Sequence, residues 1–255
     1  MATYKKRGSK PKTKVEKQQS IEDGSTTAEV FNTLDVGASR TEQWVISNQK
    51  YIFIIIGLAA VLVLGFLGYD KYVKQPSERN AMNDMYTAQK YFNDAVLGTS
   101  QDSLFNISLN GADGKYGMLD IIDNYSGTDA ANLANYYAGM AYLNMKDYAN
   151  AITYLNAFSS NDDILGPMAK GGIGDAFVQL EQLEDAYDYY LQAAESKANN
   201  FTRPMYLQKA GVIGLKIGKN KQSLEHFNTI KNDFPDSMEA KDVDVFIGKA
   251  QALSN

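Results

Sequence analysis

The sequence predicts an all-α protein in which a single transmembrane helix is followed by an α-solenoid of stacked helix pairs. Three observations predict it. Residues Tyr51 to Tyr69 (YIFIIIGLAAVLVLGFLGY) hold nineteen consecutive positions without a charge. Beyond Tyr72 apolar residues recur with helical period, and alternating β-branched runs bounded by turn dipeptides are missing. One phrase is then written three times, at 136–158, 171–193 and 209–230.

Nineteen residues at helical rise cover roughly 28 Å, close to the hydrocarbon core of a bilayer. A helix pairs its own backbone groups, as that medium requires. Trp44, Tyr51, Tyr69 and Tyr72 flank the run as rings do at headgroup level. A buried core helix fits the length and the lack of charge poorly. A cleaved signal peptide would have a short basic start and a small-residue cleavage site. Here some fifty residues precede the run and GFLGYDKYVKQP follows, so the segment reads as a retained anchor.

Charge divides along the same line. Residues 1–50 carry nine basic and six acidic side chains, net +3, and residues 70–255 carry sixteen and twenty-four, net −8. Near the run, Arg40 and Lys50 face Lys71, Lys74 and Arg79, which does not set an orientation. The distal cluster KKRGSKPKTK places the tail in the cytoplasm and the acidic body outside. Such a body is a poor grip for a nucleic acid backbone, so no nucleic acid binding is expected of it. Residues 1–38 are expected as a disordered basic tail that can touch anionic membrane lipid. Ser39-Arg40-Thr41-Glu42 has capping-box spacing, which predicts a juxtamembrane helix over 39–50.

Residues 70–255 form the repeat domain. Gly98–Gly117 reads as a long polar connection and Asn124–Gly127 as a turn. Ala151, Ala186 and Ser223 mark a common point at spacings of 35 and 37, near the ~34-residue period of tetratricopeptide repeats. The units, about 132–165, 167–200 and 204–237, resemble that family residue by residue. Gly139, Gly174 and Gly211 are the small residues of each first helix, where the two helices approach closely. Tyr142 and Phe177 match the aromatic three positions on, while Gly214 departs from it. Leu155, Tyr190 and Phe227 follow at the large apolar position. Ala193 supplies the next small residue, which Phe158 and Ile230 do not, and Pro235 closes the last unit. A degenerate fourth unit is expected around AQKYFNDAV (88–96).

The whole layout, a tail, one anchor and YDKYVKQPSERNAMNDMYTAQKYFNDAV running into divergent repeats, resembles the YfgM-like family over roughly residues 40–255. GKYGMLDIIDNYSGTDAANLANYYAGMAYL is similar to its central helices. That resemblance implies an ancillary subunit of the bacterial Sec translocon in the inner membrane, with its repeats in the periplasm. The implied partners are the channel, a membrane-anchored peptidyl-prolyl isomerase of the PpiD type and exported client chains. It implies no catalytic residue, and the tail is longer and more basic than in proteobacterial members.

The resemblance also selects a concave face from the exposed side of each first helix. The first unit supplies Leu133, Tyr136, Met140, Leu143 and Asn144. The second supplies Met168, Asp175, Val178 and Gln179, and the third Met205, Gln208, Val212 and Lys216. The set is mostly apolar and lacks the Lys/Asn combination that clamps a terminal carboxylate. In the anchor, Gly57, Ala60 and Gly68 fall near one helical face, where a partner helix can approach closely. Seventeen Tyr and nine Met suit an adaptable groove, although Tyr142 and Tyr190 read better as packing between helices.

Chemistry is sparsely represented. The absence of Cys excludes a disulfide scaffold, a cysteine-ligated zinc site and a thiol nucleophile. His226 is the single histidine and reads as structural. Gly171-Gly172-Ile173-Gly174 lacks the Lys-Ser/Thr of a phosphate loop and has no preceding strand. Asn110–Gly114 lacks calcium ligands at alternate positions, and Asn106, Asn124 and Asn200 open chance glycosylation triplets. The expected function is therefore a non-enzymatic scaffold with no cofactor or metal. The rival reading is a structural tether of envelope or division machinery without a role in export.

Overall fold

The computed structural model describes residues 26–98, 101–196 and 199–254, and for 26–40 and 101 the backbone alone. Every regular element among them is helical, with one isolated bridge, Ala112 to Lys115. The chain divides into two units, Met1–Tyr69 and Asp70–Asn255.

The first unit contains helix α1, Thr26–Tyr69. It starts thirteen residues ahead of Ser39, so the described end of the expected disordered tail is helical instead. Residues 1–25, the rest of that tail, lie outside the described residues. The apolar window is long enough to cross a membrane, has a mean hydropathy of 2.7, and none of it is buried by the rest of the protein. Ile54, Leu58, Val61, Leu64 and Phe66 all stand exposed.

The second unit opens with a π-helical turn, Asp70–Lys74, and then α2, Gln75–Leu97, with Pro76 in its first turn. α2 buries Ala81, Met85, Ala88, Phe92 and Ala95 at helical spacing against α3 (Gln101–Asn110), α4 (Met118–Asn124) and α5 (Asp129–Asn144). Half of the expected polar connection Gly98–Gly117 is thus helix. Phe105, Ser108 and Leu109 fall on one face of α3 and are buried, and the Ser108 hydroxyl donates to the Ala88 carbonyl at 2.8 Å. That bond lets a polar residue stand in the core.

Three helix pairs follow: α5 with α6 (Tyr148–Ala157), α7 (Leu165–Gln179) with α8 (Leu183–Ser196), and α9 (Thr202–Lys216) with α10 (Asn220–Asp233). A 3-10 turn, Glu239–Lys241, leads into α11, Val243–Ser254. Each helix packs on the next, and the first helices also meet in order, α5 with α7, α7 with α9, α9 with α11. Inside each pair a large side chain rests on a glycine. A Cβ at Gly139 would stand 2.5 Å from Leu155, at Gly174 2.7 Å from Tyr190, and at Gly211 2.5 Å from Phe227. Ala151, Ala186 and Ser223 are fully buried at the same level of the three pairs.

The turns inside the pairs repeat as well. Lys146, Glu181 and Gly218 all take positive φ, at 64°, 60° and 79°. The N–H of Asp147, Gln182 and Lys219 donates back to the carbonyl of Tyr142, Phe177 and Gly214 at 2.9, 2.9 and 2.8 Å. This is the six-to-one closure of a left-handed helix cap.

Candidate protein-binding groove

The first helices end in the face on which the expected residues were placed. α7 carries three nearby glycines, each taken up by a different neighbour. The Tyr206 ring of α9 lies on Gly171, where a Cβ would stand 2.0 Å from it, and Tyr190 of α8 lies on Gly174. Gly172 is covered from the other side by Leu155, Met140 and Leu143, at 3.0, 3.4 and 3.6 Å from its Cβ position. Small residues here admit helices and rings, as close packing requires.

This arrangement corrects part of the expected face. Tyr136 is a core residue, 7% exposed, with its ring against Tyr137 and Phe158 and its hydroxyl 4.0 Å from the Met168 sulfur. Burial pushes that hydroxyl up to about 12. Leu133, Met140, Leu143 and Met168 are half-buried, and they fill the seam between α5 and α7. Met205 is half-buried against the core around α9 and α10. Asn144, Gln179 and Lys216 are exposed, each the last residue of its helix.

Between α7 and α9 the seam stays open. Val178, Gln208 and Val212 come together there with Tyr190, Lys209, Ile213 and Phe246 of α11, around a cavity of about 230 Å³. Its floor is aliphatic and aromatic. Its polar edge is self-satisfied: Lys209 Nζ donates to Asp175 Oδ1 and Oδ2 at 2.7 and 2.9 Å, and the Tyr190 hydroxyl donates to Oδ1 at 2.6 Å. The ammonium also lies 5.4 and 5.7 Å from the ring centres of Tyr190 and Tyr206, which stack on each other. Burial, then the Asp175 charge, holds both phenols well above their ordinary range. An apolar floor with a neutralised edge favours an apolar side chain over a charged one. Lys209 and Phe246 were not among the expected residues. Lys209 is adjacent to the expected Gln208, and Phe246 belongs to α11, outside the three units.

Another cleft, of about 290 Å³, lies among α6, α7 and α8 and mixes Leu155, Ile173 and Tyr189 with Ser160, Lys170 and Gln192. Two more are lined mainly by turn and polar residues, such as Ser126, Asn132 and Ser159, or Asn83, Asp84 and Lys115. His226 sits between helices, its Nε2 3.0 Å from the Tyr187 hydroxyl. Desolvation pulls it below the ordinary histidine value, against the nearby Glu225 and Glu195. Gly57 and Gly68 in α1 have no neighbouring atom within 4 Å of their Cβ positions, and Ala60 is exposed. Among the described residues no three His, Asp or Glu side chains gather as a metal site. No protein-family model, curated protein or solved structure matches this chain.

Proposed function

We propose that this chain is a membrane-anchored, non-enzymatic interaction scaffold whose open seam binds apolar side chains of partner proteins. Residues 51–69 cross the bilayer with the basic tail in the cytoplasm. The helix pairs stack as a tetratricopeptide-like solenoid on the periplasmic side, where the scaffold assists exported chains beside a Sec translocon and recruits a PpiD-type isomerase. The observation that carries the binding function is the apolar cavity at Val178, Val212 and Phe246, bounded by the Asp175–Lys209 pair. The repeated glycine-to-large-residue contact in each pair supports the solenoid. An apolar window left bare by the rest of the protein supports the anchor. The export setting comes from the YfgM-like layout alone.

Purification of the full chain in mild detergent tests this reading. The expected result is that a translocation channel and a membrane-anchored isomerase come with it, and that Val178→Glu/Val212→Glu lowers the yield at least several-fold. Capture of envelope or division proteins without the channel would contradict it in favour of a tether. Topology has its own test, made clean by the absence of native cysteine. Asp236→Cys reacts with an impermeant maleimide in spheroplasts while Ser9→Cys stays protected until lysis; the reverse pattern inverts the orientation.

A further inference from the structure

The stretch that follows the apolar run holds two acids, Asp70 and Glu78, and three cations, Lys71, Lys74 and Arg79. By count its net charge is only +1, but among the described residues neither acid pairs with a cation. The Glu78 carboxylate accepts from the backbone N–H of Asp129 and Ala130, at 2.7 and 2.9 Å, at the start of α5. There it satisfies donors that a helix start leaves unpaired. Asp70 accepts from Gln75 Nε2 at 2.9 Å across the π-helical turn. Among the described residues no carboxylate forms an ion pair with Lys71, Lys74 or Arg79, and all three are exposed. The Lys71 ammonium lies 5.7 Å from the centre of the Tyr72 ring, itself 75% exposed.

We propose that Lys71, Lys74 and Arg79, together with Tyr72, form a collar that binds the phosphates of anionic lipid headgroups. The proposal rests on the membrane-spanning reading of residues 51–69. If that run ends at Tyr69, the three cations follow within ten residues, on the order of 15 Å at helical rise. Charge complementarity selects the occupant. Glu78 is turned to the start of α5 and Asp70 makes no ion pair with the cations, and a lipid phosphate supplies both the charge and the acceptor oxygens. An exposed tyrosine beside them is the kind of amphipathic side chain that settles at headgroup level. The collar also gives a role to cations whose position runs against an external body, since basic residues otherwise favour the cytoplasmic side. Near an anionic surface each such cation strengthens binding on the order of fivefold.

The test uses the full chain reconstituted in nanodiscs of equal phosphatidylethanolamine and phosphatidylglycerol, with native mass spectrometry reading the lipids retained. The chain should keep phosphatidylglycerol in several-fold preference, and Lys71→Gln/Lys74→Gln/Arg79→Gln should bring the ratio near parity. Lys221→Gln/Lys241→Gln/Lys249→Gln, which removes equal charge from exposed sites elsewhere, should keep the preference. Inorganic phosphate in excess should leave the ratio standing; displacement by it would assign the cations to free phosphate and overturn the lipid collar. The collar is equally overturned if the first variant retains the preference or if both variants lose it alike. A chain that enters the discs without preference removes the collar and leaves the anchor. A chain that fails to enter them removes both.

Discussion

The two seams between successive first helices are built from one repeated phrase and end differently. At the α5–α7 seam Met140 and Leu143 close over Gly172. One unit later, at spacings of 35 and 37, the corresponding residues are Asp175, Val178 and Lys209. Gly172 leaves room that apolar side chains fill. Lys209 instead carries a long side chain whose charge must be paired, and Asp175 pairs it at the edge of the seam. A sealed seam therefore holds the unit together, and an open one leaves Val178 and Val212 available. Three differences in register turn a closed packing surface into an open one. Repetition at the level of helices does not imply repetition of surface.

The largest effect should come from writing the open seam's residue into the sealed one. Gly172→Lys places a Cβ 3.0 Å from Leu155 and a charge among apolar side chains. It should cost on the order of 3 kcal/mol in chemical denaturation of the isolated chain. Ala186→Glu, at a fully buried position within a pair, should be nearly as severe. The turns come next. Lys146 and Glu181 hold a left-handed backbone that suits glycine, while Gly218 already supplies it. Lys146→Gly and Glu181→Gly should each raise stability by about 1 kcal/mol and Gly218→Ala should lower it by a similar amount.

His226 gives a smaller, pH-dependent effect. Its folded value lies below the unfolded one because desolvation disfavours the charged form. The unfolded chain therefore binds more protons in that window. Stability is fully present above about pH 6.5 and falls as the pH drops toward the folded value. His226→Gln should flatten this slope in denaturation curves collected between pH 7 and pH 5. Smallest of all is Lys209→Gln. Its partner Asp175 and Lys209 itself are 39% and 38% exposed, so the lost pair should cost less than about 1 kcal/mol.

Much of the packing inside the pairs was legible because it depends on residues within one phrase. Gly139 with Leu155, Gly174 with Tyr190 and Gly211 with Phe227 are local matches of a small residue to a large one. The fate of Tyr136 was not legible, because it depends on what the next unit offers. A register rule places it outward, but α7 comes close enough to cover it. α3 was missed for another reason: its buried face is Phe105, Ser108 and Leu109 within a run of Ser, Asn, Gln and Asp, and the Ser108 bond to Ala88 is a tertiary contact. The turns at Lys146 and Glu181 carry no turn residue, so only Gly218 signals the shared backbone. Phe246 reaches the groove from a helix that follows no repeat spacing.

On the proposed function, the α7–α9 seam receives a partner and the α5–α7 seam does not. The most direct measurement places a photo-crosslinking amino acid, one site at a time, at Val178, Val212, Met140 and Leu143 of the full membrane-embedded chain. Val178 and Val212 should crosslink to partner chains, and Met140 and Leu143 should give nothing above background, in variants whose circular-dichroism melts match the parent. Equal crosslinking from Met140 and Leu143, or silence at Val178 and Val212 in a folded chain, would contradict that reading.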